Sequence, residues 1–325
     1  MRPPTTFATR ASRVTASAVL VALMTTAAAG CAQLNQLRAM KAFKDANQAY
    51  QRQDYKTAAQ LYETALAKNP NLVQAYFYLG NSYDNLWKPA KKGDPANDAL
   101  LIKAADSYQK AAESLSSDKP EDAKLKTLSL QYLVATYGAD KLNDPAKAAP
   151  VVERMIQMDP SDPQNYFVLA KIYEDAHDFA KAEQTLQAAQ QAKPNDPAVF
   201  MQLAGFYNRR GQFDKTIDAL RQRAAMSPND PEAFYTIATY YWDKTFRDKT
   251  LKENVKKDYT QKGLEAIDRA LQIKPDYAEA VVFKGLLLRV QAALENDRSK
   301  QQALIKQAEE LQKKAETLRK QKLAG

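Results

Sequence analysis

One stretch of the sequence decides the fold: residues 163–194, PQNYFVLAKIYEDAHDFAKAEQTLQAAQQAKP. Apolar residues recur three and four positions apart in YFVLAKIY and again in FAKAEQTLQAA, which is the spacing of one helix face. The polar letters EDAHD separate the two runs. A proline closes the stretch, and proline ends a helix because it lacks a backbone N–H and disfavours helix in the preceding residue. The stretch therefore predicts two short antiparallel helices joined by a turn.

The same arrangement recurs along the chain. Pro160, Pro194 and Pro228 follow one another at intervals of 34 residues, and the next segments read PAVFMQLAGFYNRRGQFDKTIDALRQRAAMSP and PEAFYTIATYYWD. Self-similarity at such a period is typical of repeat proteins, in which each unit buries its apolar stripe against its neighbours. We therefore expect a stack of helix pairs.

Aromatic, leucine and small residues fill equivalent positions in at least five units. In chain order they are Ala58, Tyr62, Ala65, Pro70; Tyr76, Leu79, Gly80, Tyr83; Tyr166, Leu169, Ala170, Tyr173, Ala182, Leu186, Ala189, Pro194; Phe200, Leu203, Ala204, Tyr207, Thr216, Leu220, Arg223, Pro228; Ile267, Ala270, Leu271, Pro275. This pattern resembles the tetratricopeptide repeat. The resemblance implies an all-α fold, a tetratricopeptide-repeat α-solenoid of antiparallel helix pairs.

The chain divides into three predicted regions. We expect a signal peptide of the lipoprotein type at 1–30, a solenoid of about six to seven repeats at 31–295, and a C-terminal capping helix at 296–325. An apolar stripe at heptad spacing supports the last region, formed by Leu304, Ala308, Leu311, Ala315 and Leu318. Such a stripe covers the last repeat of an array, or alternatively mediates self-association.

The 34-residue spacing is interrupted near 88–103, 116–126 and 243–258. After Trp87 and after Trp242 we expect a longer loop between paired helices and extra turns on the second helix. Such insertions are either tolerated at the surface or form part of a partner site, since long ordered loops often carry function.

The N-terminus has the pattern of a targeting segment. The first thirteen residues contain Arg2, Arg10 and Arg13 and no acid, and the apolar run VTASAVLVALMTTAAA follows at 14–29. A basic region followed by a short apolar run is typical of an export signal. The run is shorter than the roughly 20 residues of a membrane-spanning helix.

Two ways of processing this segment stay open. Ala27–Ala29 fits ordinary cleavage before Gly30. Alternatively, AAGC at 28–31 resembles the bacterial lipobox, with Ala28 where leucine is usual. That resemblance implies a lipoprotein whose Cys31 carries lipid, including palmitate. Cys31 is the single cysteine of the chain, so no intrachain disulfide forms.

Charge and composition argue against several functions. The net charge is +9, but the middle of the chain is nearly neutral and mixed in sign, unlike a nucleic-acid-binding domain. The single histidine, His177, falls in a predicted turn. No histidine pair for a metal and no glycine-rich phosphate loop is visible. We expect no enzyme activity, no catalytic residue, no metal and no cofactor.

The resemblance also implies a partner-binding groove on the first helix of each pair. Its residues would be Asn47, Tyr50, Phe77, Asn81, Asp84, Phe167, Lys171, Glu174, Met201, Asn208, Arg209, Tyr235, Thr239 and Trp242. Packing against a neighbouring helix is the alternative role of Phe77, Phe167 and Tyr235. Aromatic and arginine residues are the usual anchors of protein interfaces.

Two functions follow as hypotheses. The first is a lipid-anchored scaffold of the bacterial cell envelope that binds other envelope proteins and supports a pilus or secretion, outer-membrane or polysaccharide-export complex. The residue after the cysteine is Ala32 and not aspartate. Under the sorting rule of enteric lipoproteins, that residue favours the periplasmic side of the outer membrane. The second is a soluble periplasmic module that binds a small molecule or glycan.

Overall fold

The computed structural model describes residues 33–324. Within them it contains helices and no strands. The helices are α1 (33–51), α2 (Tyr55–Lys68), α3 (Val73–Leu86), α4 (Pro95–Ser114), α5 (Pro120–Tyr137), α6 (Pro145–Met158), α7 (Pro163–Asp175), α8 (Phe179–Ala192), α9 (Pro197–Arg209), α10 (Phe213–Met226), α11 (Pro231–Arg247), α12 (Glu253–Ile273), α13 (Ala278–Ala293) and α14 (Arg298–Ala324). The predicted signal peptide at 1–30 and Cys31 lie outside the described residues.

The chain divides into two compact units, the first ending at Asp159 and the second beginning at Pro160. Within each unit consecutive helices pack in pairs, for example α3 with α4 in unit 1 and α9 with α10 in unit 2. The all-α fold of stacked antiparallel helix pairs that the sequence predicted is confirmed.

A buried core of aromatic, leucine and alanine side chains holds unit 1 together. The rings of Tyr62 and Tyr108 are fully buried. Gly80 on α3 lets the Tyr108 ring of α4 approach, because a Cβ on that glycine would lie 2.8 Å from Tyr108 Cδ1. Small residues thus set the distance between paired helices, as the repeat pattern predicted.

Unit 2 has a core of its own, with Phe200, Leu220 and Leu287 buried. The C-terminal helix α14 completes it by packing along α13, and its small residues Ala308 and Ala315 are buried there. The other side of α14 faces solvent.

Aspartate–proline pairs begin many of the helices. Asp94, Asp144, Asp162, Asp196 and Asp230 each stand directly before a proline, and each side chain accepts a hydrogen bond from a backbone N–H of the first turn. An N-cap aspartate satisfies a free N–H, and proline at the first helical position needs no partner. The pairs therefore fix where these helices start.

The first predicted insertion is an ordered loop. A short 3₁₀ turn, Pro89–Lys91, lies between α3 and α4. Asn97 on α4 fixes this loop, because its side-chain amide donates to the carbonyls of Lys88 and Lys91, both at 3.1 Å. Helix α4 then runs for 20 residues, against 14 in α2.

The other two insertions are mostly helical. Residues 120–126 form the first turns of α5, so only 115–119 are non-helical there. The structure differs from the expected long loop after Trp242, since α11 itself continues to Arg247 and only 248–252 are non-helical.

Candidate protein-binding cleft

Unit 2 contains a cleft of about 300 Å³ next to α11. Four helices supply its lining, which consists of Asn208, Phe213, Thr239, Tyr240, Trp242, Asp243, Lys244 and Phe283. We call it the α11 cleft because five of these residues belong to that helix. Of the residues predicted for a groove, the structure brings Asn208, Thr239 and Trp242 together here.

Trp242 and Phe283 form an aromatic wall of the α11 cleft, and Phe246 stacks on Trp242 beside it. The Trp242 ring lies parallel to that of Phe246, with centroids 5.1 Å apart, and meets the edge of Phe283 at 5.3 Å. The Phe283 ring also meets Tyr235 at 5.4 Å. Phe246 leaves 52% of its surface exposed. Contacts between the rings thus hold Trp242 and Phe283 in place, and the exposed Phe246 is accessible to a ligand.

Charged groups of both signs surround this wall. Lys244 pairs with Asp248 at 2.9 Å, and Asp243 pairs with Arg247 at 2.5 Å. Hydrogen bonds from Thr250 and then Lys244 hold the pKa of the Asp248 carboxyl well below its usual range. An apolar wall with a few placed polar groups is the common composition of a binding site.

An ion pair joins α7 to α9 elsewhere in unit 2. The Arg209 guanidinium donates to both carboxylate oxygens of Glu174, at 2.7 and 2.9 Å. These bonds raise the pKa of Arg209. Lys171 likewise pairs with Asp175. The predicted groove residues Arg209, Glu174 and Lys171 therefore already make contacts within the fold.

Two more predicted residues of unit 2, both on first helices, differ in exposure. Phe167 on α7 is half-buried, whereas Met201 on α9 is 36% exposed. Met201 is thus available to a ligand, while Phe167 is partly committed to packing.

The predicted groove residues of unit 1 already make contacts within that unit. Phe77 and Asn81 are buried, and packing is the role the structure gives to Phe77. The Tyr50 hydroxyl donates to Asn81 Oδ1 at 2.7 Å, and the Tyr62 hydroxyl donates to Asn47 Oδ1 at 2.7 Å.

The predicted groove residue Asp84 is also paired. It accepts from Lys141 at 2.5 Å, and both side chains are largely buried. Unit 1 therefore offers fewer free groups than unit 2 on these helices.

Two sequence-family models match the chain, and both describe the tetratricopeptide repeat, one at residues 43–119 and the other at 141–205. The matched ranges coincide with helix pairs whose small and aromatic positions follow the repeat. The chain is a tetratricopeptide repeat protein.

Several solved structures resemble parts of this tetratricopeptide repeat protein. The C-terminal part of a TPR repeat-containing protein from Cytophaga hutchinsonii is 17% identical and covers 85% of this chain and 98% of its own, with a TM-score of 0.49. MamA from Desulfovibrio magneticus is 16% identical and covers 61% and 96%, with a TM-score of 0.41. No curated protein matches the chain in sequence.

Three aromatic residues of the cleft lining were missed by the sequence analysis, Phe213, Tyr240 and Phe283, and so was Phe246, which stacks on Trp242. Phe246 follows Trp242 by four residues, a spacing that places both on one helix face. That signal would have been usable if the segment after Trp242 had been predicted as helix.

The described part of this tetratricopeptide repeat protein shows no group of three or more residues able to hold a metal ion. His177 is exposed and lies in the left-handed region, with φ 60°, at the turn between α7 and α8. Among residues 33–324 no helix is both long and apolar enough to cross a membrane.

Proposed function

We propose that this protein is a non-enzymatic scaffold of the bacterial cell envelope that binds a protein partner in the α11 cleft. The observation that carries the proposal is the aromatic wall of Trp242 and Phe283, with the exposed Phe246 stacked on Trp242. Aromatic side chains held rigid by their neighbours are the residues that most often dominate protein interfaces.

The size of the cleft suits a side chain of another protein. Small-molecule sites occupy about 300–1,000 Å³, and the α11 cleft lies at the lower end with about 300 Å³. An extended segment or an amphipathic helix could place one apolar side chain against Trp242 while its polar groups meet Asp243 and Lys244. The alternative, a glycan or small molecule in a soluble periplasmic module, would use the same ring faces for stacking.

The proposed location is the periplasmic side of the outer membrane, with the chain anchored through lipid on Cys31. The export-type N-terminus and the position of the single cysteine directly after it support this location. An anchored scaffold of this kind would hold partners for a pilus or secretion, outer-membrane or polysaccharide-export complex.

Mass analysis of the mature N-terminus tests the anchor. The proposal predicts a chain that begins at Cys31 and carries acyl groups. A chain that begins at Gly30 with a free amino group would contradict it and favour the soluble module.

Retrieval of partners from native membranes tests the cleft. We expect the Trp242→Ala, Phe246→Ala double variant to lose its protein partners, whereas Ile102→Ala, which removes an exposed apolar side chain from α4, should keep them. An unchanged partner set with a folded double variant would refute the α11 cleft as the site.

A further inference from the structure

The first turns of α1 expose three large apolar side chains to solvent. Leu34 is 47%, Leu37 is 65% and Met40 is 49% exposed. Isolated exposed leucines are ordinary, but these three follow one another on a single helix within two turns. Three large apolar side chains this close together on one helix suggest that another surface covers them.

The helix geometry separates this exposed side of α1 from its packed side. Each residue turns about 100° around the helix axis. Leu37, Met40 and Lys44 therefore lie on one side, opposite the buried Ala39, Ala42 and Ala46, and Leu34 and Lys41 lie towards the edge of that side. Unit 1 uses the alanine side for its core and leaves the leucine side uncovered.

The exposed side is also positively charged. Arg38, Lys41 and Lys44 are all exposed, and the one acidic residue beside them, Asp45, is half-buried, so the surface carries a net positive charge. A helix surface that combines leucine with lysine and arginine is typical of segments that lie in the interface of a membrane.

We propose that this side of α1, the membrane face, docks onto anionic phospholipid next to the anchor; this proposal rests on the lipid-anchored function above. A second copy of the chain is the other occupant to consider. In a symmetric pairing through this surface, the same patch meets itself, so two surfaces that each carry three cations and one carboxylate, Asp45, would repel each other. Anionic headgroups complement these charges instead.

The membrane face would orient the scaffold. Acyl chains on Cys31 hold the chain to the bilayer but leave α1 free to tilt. Insertion of Leu34 and Leu37 among the headgroups fixes the helix along the surface. Each basic residue near an anionic membrane contributes roughly a fivefold factor to binding, so three of them favour the docked orientation by about two orders of magnitude.

Site-specific fluorescence in vesicles tests the proposal. The full chain with Leu37→Cys is exported, purified, labelled with the environment-sensitive dye NBD, and placed in vesicles of phosphatidylcholine and phosphatidylglycerol. The matched control carries the dye at Gln60→Cys, an exposed position on α2. Mass analysis of the same sample reports acylation of Cys31, so failure of the anchor is seen separately from failure of docking.

We expect blue-shifted emission at position 37 and aqueous emission at position 60. Changing Arg38, Lys41 and Lys44 together to glutamine, or using phosphatidylcholine alone, should lower the ratio of docked to undocked protein about a hundredfold. Aqueous emission at position 37 in an acylated sample overturns the proposal. A blue shift that depends on protein density and not on lipid charge also overturns it, in favour of a second copy.

Discussion

Single small residues decide how closely the paired helices pack. Gly80 was recognised in the sequence because it stands at a fixed place in the repeat. Its partner Tyr108 was not, because the loop before α4 shifts that helix out of the 34-residue spacing. The ring of Tyr108 lies where a Cβ at position 80 would lie.

Gly80→Ala should therefore destabilise the protein. Alanine gains about 1 kcal/mol of helix propensity, but overpacking against a fully buried ring costs roughly 1–3 kcal/mol, so we expect a net loss of about 1 kcal/mol and a lower Tm. Gly205→Ala is the control, since its Cβ would meet only the far end of the Arg209 side chain, at 3.2 Å, and no ring or backbone. Equal or higher stability of Gly80→Ala in thermal unfolding would contradict this packing.

The 34-residue repeat period also determined which cleft residues the sequence could predict. Asn208, Thr239 and Trp242 fall at regular repeat positions, and they meet in the α11 cleft. Phe246 lies in an insertion, where the 34-residue period offers no equivalent position. The Arg209–Glu174 pair joins residues 35 apart, and single positions in a repeat pattern do not show which neighbours bond.

At the scale of elements, helix starts depend on aspartate caps. Asp178 begins α8 and accepts from the Lys181 backbone N–H at 3.1 Å. This bond, followed by one from the Lys181 side chain, lowers the pKa of the Asp178 carboxyl. The sequence analysis used the prolines that follow helices and overlooked the aspartates that precede them, although every Asp–Pro pair was visible.

The lowered pKa gives a pH dependence with a definite sign. A carboxyl whose pKa is lower in the folded state stabilises that state above its unfolded pKa of about 3.9, and this contribution is lost as pH falls through the folded value. We expect Asp178→Asn to lower the Tm at pH 7 and to match the native chain once the pH is below the folded pKa of Asp178. Asp140→Asn, at an exposed turn, is the control; a Tm deficit of Asp178→Asn that persists at low pH would contradict the charge effect.

Helix α14 acts as a cover for α13. Its heptad stripe was foreseen, and Ala308 and Ala315 in that stripe are buried. The Ala308 carbonyl lies 3.4 Å from where a Cβ on Gly285 would lie.

A charged residue at position 308 should detach helix α14 from α13. Ala308→Asp places an unpaired carboxylate in a buried site, at a cost of roughly 3 kcal/mol or more, so the amides of 298–324 should exchange rapidly with deuterium. Ala303→Asp, on the exposed side of the same helix, should leave exchange slow. Slow exchange in both variants would show that α14 is not held through its alanine stripe.

At the scale of the whole molecule, composition and repeat period were enough to predict the fold class and most helices. The boundary at Asp159 and Pro160 was not predicted. The 34-residue spacing begins at that proline, and no run of glycine, serine or charge marks a linker there. The boundary between the two units depends on which helices pack together. Amino-acid composition therefore does not reveal it.

In-cell photocrosslinking from the α11 cleft tests the central claim most directly. A photoreactive phenylalanine analogue replaces Thr239 inside the cleft, or Gln222 on the exposed side of α10 as control. We predict a discrete protein adduct from position 239 that disappears when Phe246→Ala is added, and none from position 222. Adducts that are absent at 239, or equal at both positions, would contradict a partner site in this cleft.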